Sequence, residues 1–186
     1  MTSTTGGGTR ILGSLGAVDG KGLVRVEDRY DTDIDDLWSA LTDPDRLARW
    51  YGTVEGDLRA GGEFRTYLEG PDLRGVGRVE TCEPPRRLRV VTRETDESWQ
   101  RSGGVPPFDQ TLEATLTVDG DRTVLVIEAH GMPLDKVAAY GAGLQIHVEH
   151  LAAHVAGRGP GDDDGTRWGE LVPAYQHLAA AIRSAG

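Results

Sequence analysis

LDKVAAYGAGLQIHVEHLAAHVA, residues 134–156, decides the fold. Its apolar positions recur at helical spacing over several turns, with Pro133 before the stretch and Gly157 after it as start and stop signals. Leu144, Val148, Leu151 and Val155 fall on one stripe, which the spacing assigns to the core. Tyr140 and His147 lie at its edge, and His150 and His154 lie farther round, toward solvent. Upstream, the period changes from 3.6 to 2. VEGDLR (54–59), GEFRTYL (62–68), GVGRVETC (75–82), RRLRVVTRE (86–94), QTLEATLTV (110–118) and RTVLVIEAH (122–130) read as strands, with GG, GP, PP and DG among the intervening turns.

Farther out, LVRVEDRY (23–30) alternates with Val24, Val26, Asp28 and Tyr30 on one face, and ILGSL (11–15) predicts an extra strand. DTDIDDLWSALTDPDRLARWYG (31–52) reads as two short helices, the first capped by Asp33 and the second begun at Asp43-Pro44. Strands followed by one long helix argue for an α+β protein with an antiparallel sheet of six or seven strands. Such a sheet must curl and bury one face, and residues 134–156 are the long amphipathic cover available to it. A cavity between the two is expected. Residues 1–22 read as an N-terminal extension, partly disordered over 1–9, and 23–157 as the domain. Residues 158–186 read as a flexible acidic loop plus a C-terminal helix, which Pro173 should confine to starting near or after that residue. The stripe Trp168, Leu171, Tyr175, Leu178 and Ile182 predicts that this helix docks on the domain, or on a second subunit in a homodimer.

The segment YDTDIDDLWSALTDPDRLARWYG (30–52) resembles the opening of the START-like (SRPBCC) superfamily, in its activator-of-heat-shock-protein-90-ATPase-like branch. DLRAGGEFR, GRVETCEPPRRL, DGDRTVLVIEAHG and a long helix entered at YGAGL follow in the matching order, so the resemblance covers about residues 23–156. It implies the helix-grip fold, a curved antiparallel sheet wrapped on a long C-terminal helix, in agreement with the pattern reading. Many relatives carry Gly-Trp where this chain has Gly143-Leu144, which implies a reshaped cavity. The resemblance does not imply one function, because the superfamily mixes carriers, receptors, cyclases, hydrolase-like enzymes and co-chaperone domains.

Composition narrows the partners. A formal charge of −10 disfavours nucleic acid or an anionic membrane. No apolar run is long enough to span a bilayer, and MTSTTGGGTR lacks the apolar core of a signal peptide, so a cytoplasmic location is expected. Cys82 stands alone, which excludes a disulfide framework and reads as core filler rather than nucleophile. There is no Gly-x-Ser-x-Gly elbow, phosphate loop or convincing triad, and no cofactor is expected.

The candidate wall of the cavity follows from the inward faces: Trp50, Phe64, Thr92, Leu112, Leu125, Ile127, Tyr140, Leu144, His147, Val148 and Leu151. His147 borders the cavity and is the candidate polar contact; Trp38 reads as core. Three functions are open. The sequence favours binding of a small apolar or aromatic molecule, because the cavity follows from the fold. A cyclase- or hydrolase-like enzyme using His147 with Asp28 or Glu94 is the first alternative, and a co-chaperone-like protein-binding module is the second. Glu128 and His130 read as outward-facing. His150 and His154 stand at a metal-chelating i, i+4 spacing, but Glu149 is misplaced for a His-Glu-x-x-His helix and no third ligand is near in sequence. Both therefore read as solvated. Elemental analysis of the purified protein is expected to find no stoichiometric zinc or iron; about one metal per chain, lost in His150→Ala, would overturn this.

Overall fold

In the computed structural model, residues 10–68, 74–95, 106–159 and 165–184 are described. The expected disorder of residues 1–9 and most of the acidic loop lie outside them. In chain order the elements are β1 (Gly13–Val18), β2 (Lys21–Tyr30), α1 (Ile34–Thr42), α2 (Pro44–Leu47), β3 (Thr53–Gly56), β4 (Glu63–Tyr67), β5 (Arg74–Glu83), β6 (Arg87–Glu94), β7 (Gln110–Asp119), β8 (Arg122–Met132), α3 (Val137–Val155) and α4 (Thr166–Ser184). One antiparallel sheet runs in the order β1-β2-β8-β7-β6-β5-β4-β3. This is the α+β helix-grip arrangement. The described residues hold eight strands rather than six or seven, the additional one being the edge strand β1.

The sheet curves because its ladders slip. Between Val79 and Thr81 the pairing of β5 with β6 shifts by one residue, and β2 shifts against β8 between Gly22 and Leu23. Each slip bends and twists a strand, which lets the sheet wrap rather than lie flat. At the near end α1 and α2 close the curve. Asp33 caps α1 by accepting from the Asp36 N–H at 2.8 Å, and Asp43 ends α1 while accepting from Asp45 and Arg46 to start α2.

The long helix is packed on more than one side. Val148 and Leu151 are buried, as the stripe predicted, whereas Leu144 and Val155 are only half-buried. Val137, Ala138, Gly141, Ala142 and Gln145 are also buried, on the side that α4 and β1 cover. Tyr175 of α4, fully buried, fits a slot with Gly141 on one side and Gly13 on the other, where a Cβ at either glycine would run into its ring. Gln145 is fully buried beneath it. Its side-chain oxygen accepts from the Tyr175 hydroxyl at 2.8 Å and from the Leu12 N–H at 3.0 Å. Its amide nitrogen donates to the Arg10 carbonyl and to Glu149, both at 2.8 Å.

Two helix boundaries differ from the sequence reading. α3 begins at Val137 rather than Leu134, because residues 134–136 form a turn in which the Lys136 N–H reaches the Pro133 carbonyl at 3.0 Å. α4 begins at Thr166 and carries Pro173 inside it. A proline within a helix costs about 3 kcal/mol, and the burial of Leu171, Tyr175 and Ala179 around it offsets that. No helix among the described residues is long and apolar enough to cross a membrane.

Removing the chain from Thr166 onward is therefore expected to lower stability by a few kcal/mol, since it uncovers Gly141 and Ala142 and leaves Gln145 without its tyrosine. Thermal or denaturant unfolding checks this; an unchanged melting temperature would show that α4 contributes nothing.

Candidate functional site

A cavity of about 650 Å³ lies between the curved sheet and α3. That volume is typical of a small-molecule pocket. Trp50, Phe64, Thr92, Leu112, Ile127, Tyr140, Leu144, His147, Val148 and Leu151 all face it. Leu125 does not. Strand alternation put it correctly on the inner face, but it lies at the end of β8 covered by α1, where it packs fully buried with Tyr30, Leu37 and Leu116. Leu41, Leu47, Tyr51, Val54, Leu88 and Val90 complete much of the apolar wall.

Each wall residue is placed by a local device. The Trp50 indole N–H donates to the Ala40 carbonyl at 3.0 Å, so the ring is fixed between α1 and the cavity. Phe64 stands opposite Gly77 on β5, and its ring occupies the space that a side chain there would need. Leu88, Val90 and Thr92 alternate along β6 and show the cavity the flank that the sheet turns inward. The open end carries the charges: Arg74, Arg93 and Glu94 are exposed and border the cavity there. Glu94 accepts from the Tyr140 hydroxyl at 3.4 Å, and burial together with this carboxylate holds the phenol well above its ordinary pKa.

His147 is one of the polar side chains of the wall, with Thr42, Thr66, Thr92 and Gln110. Its ring packs against Tyr51 at a centroid distance of 5.1 Å, and its Nδ1 is buried without a hydrogen-bond partner among the described residues. Burial, with a smaller contribution from His150, brings its pKa down from 6.5 to about 4, so the imidazole is neutral at physiological pH. Burial also raises the Tyr51 phenol. The carboxylates weighed as its partners lie elsewhere. Asp28 is off the cavity, 3.4 Å from an Arg10 guanidinium nitrogen, and Glu94 is at the rim. Cys82 is half-buried, and burial pushes its thiol up, away from the reactive thiolate. Glu128 and His130 sit on the outer face, with Arg25 3.7 Å from Glu128.

His150 and His154 do not reach the cavity. They are half-buried rather than solvated, which corrects the sequence reading. His154 Nε2 accepts from Arg46 Nε at 3.3 Å, while Arg46 Nη1 donates to Asp36 at 2.8 Å, so this histidine ties α3 to α1 and α2. Burial and Arg46 lower its pKa. Among the described residues no three His, Cys, Asp or Glu side chains converge as metal ligands. Sequence reasoning passed over Tyr51 and Trp168 as cavity residues. Tyr51 had a signal in its place beside Trp50. Trp168 had none, because its position depends on how α4 docks.

The family model for activator of Hsp90 ATPase homolog 1-like protein matches residues 31–156. The chain belongs to this family. It shares the START-like fold, which commonly binds hydrophobic ligands. The crystal structure of CalU16 from Micromonospora echinospora superposes with a TM-score of 0.70 at 28% identity, over 90% of this chain and 97% of that one. DynU16, a putative protein in the dynemicin biosynthetic locus, gives a TM-score of 0.64 at 27% identity, over 74% of this chain and 48% of its own. EF2215 from Enterococcus faecalis, a conserved protein of unknown function, shares the fold at 16% identity and a TM-score of 0.70, over 91% of each chain. No curated protein matches significantly.

The depressed pKa of His147 has a consequence for stability. Above pH 6.5 the ring is neutral in both folded and unfolded chains. Below that, the unfolded chain takes up a proton that the folded chain refuses until about pH 4, so stability falls across this window. Melting curves from pH 7 to 4 are expected to fall more steeply for the native chain than for His147→Gln, by roughly 1–3 kcal/mol. Parallel curves would show that the ring is not desolvated.

Proposed function

We propose that this protein binds a small, largely apolar or aromatic molecule in the cavity between sheet and α3, with His147 as its polar contact. The observation that carries this reading is a cavity of about 650 Å³ whose wall is built mainly of leucine, valine and aromatic side chains, with the His147 ring set among them. The polar groups of the inner wall are uncharged at neutral pH, which suits a neutral ligand; the charges stand at the rim. Most of the affinity comes from apolar area removed from water, at about 25 cal/mol per Å². The origin of DynU16 in a biosynthetic locus is in keeping with a small-molecule role. An acid–base enzyme would need a carboxylate oriented against His147, and neither Asp28 nor Glu94 is bonded to it. The activity in the family's name belongs to the proteins that carry it.

Thermal-shift titration with naphthalene and 1-naphthol tests the assignment. Both should stabilise the native chain. Leu144→Trp should fill the space and weaken both without unfolding the protein. His147→Ala should weaken 1-naphthol alone, by about 0.5–1.5 kcal/mol or several-fold in affinity. His154→Ala should leave both unchanged. If His154→Ala abolishes binding while the other two variants have no effect, α3 presents a different face to the ligand.

A further inference from the structure

The family match ends at residue 156, ten residues before α4 begins, yet α4 reaches the cavity. Leu171 and Tyr175 are fully buried against α3 and β1, and Trp168 continues their stripe one turn earlier, at i, i+3, i+7 spacing. At that turn the stripe has run past the core and onto the cavity wall. Among the described residues Val18, Tyr67, Val76, Val118 and Trp168 are the large apolar side chains left exposed. Trp168, at 43% exposure, is the one of these that borders the cavity.

Its position is enforced from both sides. Below it on α3 lies Gly143, and the indole edge is 3.7 Å from where a Cβ on that glycine would stand. Beside it, Arg167 grips Glu149 of α3 through two hydrogen bonds, Nε to Oε2 at 2.8 Å and Nη2 to Oε1 at 2.6 Å, while its Nη1 holds Glu170 at 2.8 Å. Glu149 is in turn bonded to the buried Gln145. A bidentate pair of this kind fixes direction as well as distance. The indole is therefore held at the cavity wall although much of its surface meets water. The same wall carries an edge-on aromatic pair, Phe108 and Tyr140, with centroids 5.6 Å apart.

We infer that Trp168 is a specificity-determining residue of the binding site, which selects ligands with a planar ring system by stacking against the part that reaches the α4 side of the cavity. This rests on the binding role proposed above and extends it to an element outside the family domain. An exposed indole gains most from a flat, apolar partner that covers its face. A flexible aliphatic chain of similar volume can fill the inner wall without that contact.

The test uses the full chain and two neutral probes: N-phenyl-1-naphthylamine, read by fluorescence, and dodecanol, read by its displacement of that probe. Trp168→Ala should weaken N-phenyl-1-naphthylamine by about three- to tenfold, leaving dodecanol within twofold of its native affinity. Trp168→Phe should recover most of the aromatic affinity. Leu144→Trp, which fills the inner cavity, should weaken both probes. If Trp168→Ala leaves both affinities unchanged while Leu144→Trp abolishes them, the cavity binds and Trp168 has no part in it. Equal losses for the two probes would make the indole a general wall and overturn the selectivity. If neither probe binds the native chain, or Leu144→Trp binds both as well as the native chain does, the cavity reading fails and this inference with it. Melting temperature, little changed in a variant truncated at a half-exposed site, separates binding effects from unfolding.

Discussion

The buried side-chain amide of Gln145 is the point at which three otherwise separate parts of the chain are fixed to one another. It binds the backbone leading into β1, the Tyr175 hydroxyl of α4, and Glu149, which passes the connection on to Arg167. An amide at full burial is costly unless both of its polar atoms are satisfied, and here each makes two bonds. The network is correspondingly specific. It accepts one rotation of α3 about its own axis, because any other would strand the amide. That rotation is also what turns Tyr140, Leu144, His147 and Leu151 toward the cavity. The wall facing the sheet is thus set by a polar contact made on the side facing α4.

This explains how small residues on α3 serve both sides. Gly141 and Ala142 let Tyr175 approach closely, and Ala139 and Gly143 leave room at the cavity wall near Trp168. Larger apolar residues at these positions would broaden the apolar stripe of the helix, but would hold α4 away from α3. The helix gives up apolar area along its outer side and regains it from Leu171 and Tyr175, which α4 brings in fully buried. The covering helix then tolerates Pro173, since the packing of its neighbours and not its own hydrogen-bond ladder holds it in place.

What the sequence revealed and what it hid follow from the same physics. Strands were legible because inner and outer faces alternate in polarity, as in β2, where Val24, Val26 and Tyr30 are buried and the charged Arg25, Glu27 and Arg29 stand on the other face. The caps at Asp33 and Asp43 were legible because a carboxylate before a helical run has one efficient use. The second buried side of α3 was hidden, since glycine, alanine and glutamine carry little hydrophobic signal and a glutamine on a helix reads as surface. Leu125 shows another limit. Alternation gives a residue's face but not its distance from a cavity along the strand, and α1 had already covered that end. His154 was read as solvated because its partner, Arg46, is far away in sequence and arrives only with α2.

The distribution of charge is the last constraint on what the cavity can hold. Carboxylates and guanidinium groups across the outer sheet face pair with one another, as Arg87 and Arg89 do with Glu113. Those at the rim do the same where Arg93 meets Asp109 at 2.8 Å. Inside, the titratable groups that remain among the described residues are His147 and Tyr51, both pushed by burial toward their neutral forms. A charged ligand driven into this wall would lose its hydration and find no opposite charge among the described residues of the inner wall, a penalty of several kcal/mol. A neutral ring system loses little and gains the apolar surface. On the binding role proposed here, the cavity would discriminate in two places: the inner wall by its scarcity of compensating charge among the described residues, and the α4 side by the shape that an indole held over Gly143 would accept.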